Sequence, residues 1–465
     1  MGLIYSNISS FGDTFVWTIL NQFFFIGAFL FVGWLISQIP FVKKSLIPTS
    51  LLGGLIVILL KFVPAFDDLI NYDAMEIITY HCLALGFIGM ALKKGDSNKK
   101  KVSVGSIIDS GLLIGGSYVV QAIIGLVITI VIVAIGGVAT HLIPASGILL
   151  PLGYGQGSGQ ALNYGKIFET DYGFEGGSTF GLSIATIGFL VAAVVGVVYT
   201  NILRRKGKTK QTSETIIENY EVKDFVKENE SPTTPSIDKM TICLVFVFCI
   251  YGLVYLVMRA FNVGLLWGFN FLLGVIFATL TRLLMNFLQK KKVMKKEQLN
   301  NYCLDRSSNF FFDVMIIAGC CAIDLNQLSS MWWQLILVCL LGAVGTFVFI
   351  YFVSKEIYKG YETEGFLSMF GMLTGTASSG MILLREVDQK YETPAANNLV
   401  YGGMPAIAIA GILLLLLGYA PKGMTEALIS LAVFVAAFAI IMVALYRRKI
   451  FKFKKKNKKE PESKE

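Results

Sequence analysis

Gly153-Tyr154-Gly155-Gln156-Gly157-Ser158-Gly159-Gln160-Ala161 and Gly371-Met372-Leu373-Thr374-Gly375-Thr376-Ala377-Ser378-Ser379 are the two stretches whose reading decides the fold. In each, two glycines stand four positions apart, and a hydroxyl residue, Ser158 or Thr376, follows the second. A tyrosine lies at nearly the same distance downstream in both, Tyr172 and Tyr391, and an apolar run follows soon after. Glycine-rich backbone does not hold a continuous helix, and its free N–H and C=O groups would be unsatisfied in hydrocarbon. Such a segment survives at membrane depth only where protein or water surrounds it. Paired interruptions of this kind, at matching places in two halves of a chain, point to a transporter binding site. Residues 145–168 and 365–388 are therefore expected to be re-entrant hairpins.

The surrounding sequence is that of a membrane protein. Its 465 residues are 55% hydrophobic and 15% charged, where a soluble domain carries about a quarter charged. A spanning helix needs ~20 mostly apolar residues, and the chain offers about eleven such runs. They lie near 15–37, 46–61, 76–92, 108–136, 177–203, 240–260, 262–288, 308–325, 332–353, 396–418 and 424–446. With the N-terminus outside, Lys43, Lys44, the Lys93–Lys101 cluster, the segment after Arg204, the Lys290–Lys296 cluster and the tail after Arg447 are all cytoplasmic. Only Lys61, Lys166, Arg259 and Lys422 fall outside. Positive residues favour the cytoplasmic face, so this orientation is the expected one. The same excess accounts for the net charge of +9, and the Lys452–Lys459 tail either meets anionic lipid or is a solvated stop-transfer tail.

The expected fold is thus an all-α polytopic membrane protein of about eleven spans. Residues 1–203 form a first membrane repeat, 204–239 a cytoplasmic linker with a Ser-Pro-Thr-Thr-Pro run, and 240–418 a second repeat. Residues 419–446 add an extra transmembrane helix and 447–465 a basic cytoplasmic tail. Five spans precede the linker. Five is odd, so the second half starts from the opposite side, and homologous halves would be two inverted five-helix repeats. The first hairpin then enters from outside and the second from the cytoplasm, so their tips could meet near the midplane.

At such a meeting point, half-helix N-termini favour an anionic group. The substrate-binding candidates are Gly155, Gln156, Gly157, Ser158, Gly159, Gln160, Thr376, Ser378, Ser379 and Arg385. Ser158, Thr374, Thr376 and Asp313 are the candidate Na⁺ ligands. Asp313 lies in an apolar setting, where an acid is expensive; it is a Na⁺ ligand, a coupling proton site, or a carboxylate reaching the interface. Arg385 pairs either with a substrate carboxylate or with Glu386 or Asp388. Asn163 and Asn398 are further site candidates. His81, Gln121 and Asn270 are read chiefly as packing residues, and Trp332 and Trp333 as an interface belt.

Other classes lack their signatures. No HExxH, complete Gly-x-x-x-x-Gly-Lys-Ser/Thr phosphate loop or CxxC is present, which argues against a zinc enzyme, an ATP-driven pump and a disulfide framework. An intramembrane enzyme or a channel remains as an alternative of another class. Met1-Gly2 through Ser6 fits the myristoylation pattern, and the first apolar run, lacking a basic n-region and a cleavage site, is read as retained.

Three segments resemble the glutamate:sodium symporter family: Ile47-Pro48-Thr49-Ser50-Leu51-Leu52-Gly53-Gly54, the first hairpin into Tyr172-Gly173-Phe174, and the glycine-rich start of the second hairpin. The resemblance runs over most of 15–418. It implies inverted halves around a cytoplasmic linker, paired re-entrant loops, and Na⁺-coupled symport of glutamate or a related small carboxylate by an elevator-like movement, commonly as a homodimer. Na⁺ would be the coupling ion, with no other cofactor; the partners would be that anionic solute and the lipid bilayer of a bacterial inner membrane, with no nucleic acid. A carrier of another organic anion, such as a hydroxycarboxylate, stays open. The chain departs from the family at Tyr154 and Gln156, where Gly and His are usual. It departs again at Gly375-Thr376-Ala377-Ser378-Ser379, where a Gly-Ala-Thr-Pro-Thr run is usual. The 424–465 segment has no family counterpart.

Overall fold

The computed structural model describes residues 14–43, 48–67, 69–94, 103–205, 238–261, 267, 270–294, 297–388 and 393–457. Most of the 204–239 linker, Met1 to Ser6 and the end of the basic tail lie outside them. Among the described residues the chain is helical, with no strand. We label the principal helices α1 (Thr14–Ser37), α2 (Thr49–Leu60), α3 (Tyr72–Ala91), α4 (Val104–Gly136), α5 (Leu149–Gln156), α6 (Ser158–Tyr172), α7 (Gly177–Arg205) and α8 (Lys239–Phe261). The remainder are α9 (Asn270–Lys290), α10 (Asn301–Ala322), α11 (Trp332–Ile357), α12 (Glu362–Thr374), α13 (Ala377–Arg385), α14 (Ala395–Leu417) and α15 (Met424–Asn457).

Each expected span has a helix, with shifted ends. The second is only 12 residues long, and the last runs on through the start of the basic tail. Eight helices among the described residues are long and apolar enough to cross a membrane. The two glycine-rich stretches break as expected, α5 from α6 at Gly157 and α12 from α13 at Gly375 and Thr376. Gly157 has φ +85°, a left-handed conformation that favours glycine.

The helices sort into two compact units that interleave the halves of the sequence. Unit 1 comprises α1–α3 and α8–α10. Its helices approach closely through glycine. A Cβ on Gly33 of α1 would collide with the Thr49 carbonyl at the start of α2, and one on Gly53 with the Phe29 carbonyl of α1. Gly86 and Gly89 of α3 likewise receive Phe312 and Ser308 of α10. Small residues at such crossings replace the hydrophobic drive that lipid removes. Buried Lys61, just past α2, donates to the Cys321 carbonyl at the end of α10 (2.7 Å), a cation at a helix C-terminus. Only 22% of the apolar stretch of α1, α8 and α9 is buried within the chain, against 61% for α7.

Unit 2 comprises α4–α7 and α11–α15, with α4 at its centre: α11, α14 and α15 all pack along it. α7 carries a stripe of small residues, Gly181, Ala185, Gly188, Ala192 and Gly196, at helical spacing. Both hairpins lie against this stripe.

Candidate functional site

The site is built from two broken helices set against α4 and α7. At the C-terminal end of α4, Thr129 Oγ1 donates to the Pro144 carbonyl (2.8 Å) and accepts from the Gly147 N–H (3.2 Å). There Gly125 and Gly147 approach so closely that neither admits a Cβ. This is the base of the first hairpin. The base of the second lies at the opposite end of α4. Tyr358 OH donates to Ser110 Oγ (2.9 Å), and Ser106 Oγ lies 3.2 Å from Tyr361 OH, just before α12. The middle of α4 meets both tips. Tyr118 OH donates to the Gly155 carbonyl (3.3 Å), and Gln121 Nε2 donates to the Leu373 carbonyl (2.8 Å) and to Thr346 Oγ1 on α11 (3.0 Å). At a rise of about 1.5 Å per residue, the Ser106-to-Tyr118 stretch spans about 18 Å and the Gln121-to-Thr129 stretch about 12 Å. The two hairpins therefore enter unit 2 from its two ends and converge halfway along one helix.

The tips are in contact. A Cβ placed on Gly157 would stand 3.8 Å from Thr376 Cγ2. α7 passes both: a Cβ on Gly188 would meet the Thr374 carbonyl oxygen and the Tyr154 ring, and one on Gly375 would lie 3.2 Å from Ala192 Cβ. The N-terminus of α6 has no side-chain cap. Its first intrahelical bond, from Ala161 N–H to the Gly157 carbonyl (3.2 Å), leaves the N–H groups of Ser158, Gly159 and Gln160 ahead of it. Beside these donors, Ser158 is 3% exposed and Gln160 1% exposed. The Ser158 hydroxyl and both polar atoms of the Gln160 carboxamide have no hydrogen-bond partner. The α13 N-terminus is capped instead, Thr376 Oγ1 accepting from Ser379 N–H (3.3 Å).

The other sequence candidates take distinct places. Gly155 and Gln156 end α5, half-buried, beside the tip. Thr374 is buried, and its hydroxyl donates to the Phe370 carbonyl (2.7 Å), which leaves its oxygen lone pairs for another ligand. Ser379 is buried, with Oγ 3.3 Å from Thr376 Oγ1, while the Ser378 side chain lies outside the described residues. Arg385 is exposed at the last residue of α13, a helix length from the tip. Asp313 is half-buried on α10 and so belongs to unit 1, not to the unit that holds the hairpins. Asn398 is fully engaged at the base of the second hairpin, donating to Tyr361 OH (2.9 Å) and accepting from Ser106 Oγ (3.1 Å). His81 Nδ1 lies 2.6 Å from Tyr251 OH in unit 1, and Asn270 reaches the same hydroxyl at 3.4 Å.

The ring of Tyr154, a departure from the family pattern, lies against Gly188 of α7, next to the Thr374 carbonyl. Fully buried, it donates to the Cys339 carbonyl (2.7 Å). Its substitution changes how α5 packs on α7 and α11. Gln121, read from sequence chiefly as packing, ties α4 to α11 and to the C-terminus of α12, while its buried Oε1 is unpartnered. Ser183 on α7 is also buried with a free hydroxyl. The α7 stripe is visible in the sequence when small residues are counted at the helical period.

Among curated proteins none matches the chain. The family model for the sodium/glutamate symporter matches residues 15–393, a segment containing both hairpins in full. A pair of opposed broken helices, meeting at an uncapped helix N-terminus with buried amide and hydroxyl groups left to a ligand, is chemistry for holding a small solute rather than for transforming one. The chain therefore belongs to the sodium/glutamate symporter family, and is a multi-pass membrane protein that works as a sodium-coupled transporter and not as an enzyme.

Proposed function

We propose that this protein accumulates glutamate or a closely related small carboxylate by Na⁺ symport, and that the solute is held between the two hairpin tips. The observation that carries the reading is the uncapped α6 N-terminus beside the unpartnered Ser158 and Gln160. Three N–H groups and a helix dipole suit a carboxylate. The hydroxyls of Ser158, Thr374, Thr376 and Ser379 are hard oxygen donors of the kind Na⁺ takes. All these groups lie within unit 2, as an elevator-like movement of that unit as a body requires. Hairpins entering from opposite ends of α4 support inverted halves around the 204–239 linker, with the basic segments cytoplasmic. A homodimer in a bacterial inner membrane completes the reading.

Uptake of radiolabelled glutamate into proteoliposomes, under an inward Na⁺ gradient and against an equal K⁺ control, tests it. Na⁺-dependent accumulation that is lost on widening Ser158 and Thr376 is the expected result. Accumulation without Na⁺, or normal transport by both widened variants, would overturn the site. Competition by hydroxycarboxylates but not by glutamate would move the substrate to that class.

A further inference from the structure

The turn of α4 that seats the second hairpin also holds α15, which lies wholly beyond the segment matched by the family model. Asp109, 1% exposed, sits on that turn between Ser106 and Ser110. Arg448 of α15 donates from Nε to Asp109 Oδ1 and from Nη2 to the Gly105 carbonyl (2.9 Å). On the same turn, Ser110 receives Tyr358 OH, and Ser106 joins Tyr361 and Asn398. The Tyr358 ring fills the space beside Gly365 of α12 so closely that a Cβ there would collide with it. The base of the hairpin and the Arg448 guanidinium therefore hang on one helical turn. A helix that served only to anchor the chain in lipid would need apolar surface and no charge pair inside the protein. A carboxylate buried to this extent is tolerated when paired, and removing one partner costs far more than removing both.

We propose that α15 is a clasp on the second hairpin: Arg448, by neutralising Asp109, is a positioning residue that fixes the α4 turn from which the hairpin base is suspended. The clasp itself follows from these contacts. Its consequence for solute movement rests on the symporter reading above.

Hydrogen–deuterium exchange on the purified full-length chain tests the clasp without a substrate. In R448Q, which strands the buried Asp109, amides of α12 and α13 should exchange about tenfold faster or more than in the wild type, and in D109N, which leaves only the partly exposed Arg448 unpaired, by less. In the D109N/R448Q double variant they should return toward the wild-type rate, because no unpaired charge remains. R448K keeps the charge but loses the two-pronged fork; it should fall between wild type and R448Q, and serves where R448Q is too unstable to purify. Faster exchange confined to α4 and α15 would overturn the proposal, as would a double variant no better than the worse single. Na⁺-driven uptake by the same proteins separates the two ideas. A wild type that does not transport, with hairpin exchange responding as described, counts against the symporter reading and leaves the clasp standing. Full uptake by both single variants overturns the role given to Arg448 in transport.

Discussion

Gln160 buries a carboxamide that bonds to nothing in the protein. An unsatisfied buried polar group costs about 1–3 kcal/mol, and such a cost persists where a ligand repays it. Gln160→Leu should therefore raise thermal stability by about 1 kcal/mol while lowering uptake about tenfold or more. A melting curve and a transport assay on one preparation check both signs, and loss of stability together with uptake would mean that the side chain is merely packing. Gly188 makes the complementary case. Its missing Cβ admits the Thr374 carbonyl, so Gly188→Val should force α12 away from α7 and abolish uptake. Gly252→Ala, where no neighbour lies within 4 Å, should leave uptake unchanged. Ser158 and Thr376 were legible in the sequence because their signal is local, a glycine pair followed by a hydroxyl. Gln121 and Ser183 were not, because what marks them is a partner, or the lack of one, hundreds of residues away or on another helix.

Helices in this protein are held as much by their ends as by their faces. Thr376 caps α13 at the tip of the second hairpin, and Thr376→Ala should destabilise that helix by about 1 kcal/mol, seen as faster amide exchange in α13. In unit 1, Glu297 of the connection between α9 and α10 accepts from Lys94 (2.9 Å), Arg282 (2.8 Å) and Gln289 (3.1 Å). Burial alone would raise its pKa; the hydrogen bonds from Lys94 and Gln289 and the Arg282 charge outweigh burial and hold it below the ordinary 4.5. A carboxyl depressed on folding adds stability that is complete above its unfolded pKa and is lost as pH falls through the folded value. Melting temperature should thus drop as acid passes below about pH 4.5, and Glu297→Gln should flatten that part of the profile. The helix breaks at Gly157 and Gly375 were readable from composition, since glycine-rich backbone does not hold a continuous helix. The seat of each hairpin on α4 was not, because Ser106, Ser110, Tyr118, Gln121 and Thr129 look like ordinary polar positions on one long apolar helix.

Order along the chain and order in space diverge at the scale of the molecule. The sequence divides naturally at the 204–239 linker, but each compact unit takes helices from both sides of it. Neither half then contains a complete unit. Residues 1–211 and 212–465 expressed separately should each be degraded or aggregate, and expressed together should restore Na⁺-driven uptake; a half that purifies folded by itself would contradict the interleaving. Hydropathy marks apolar runs, but not which of them pack together, because lipid-facing and protein-facing helices are nearly equally apolar. α4 carries a consequence of a different kind, one for descent. It seats one hairpin at Ser106 and Ser110, both tips at Tyr118 and Gln121, and the other hairpin at Thr129. One residue gained or lost between these seats would turn one hairpin about 100° and shift it about 1.5 Å relative to the other. Among relatives, insertions and deletions should accumulate in the linker, while the stretch from Ser106 to Thr129 keeps its length whatever its side chains become.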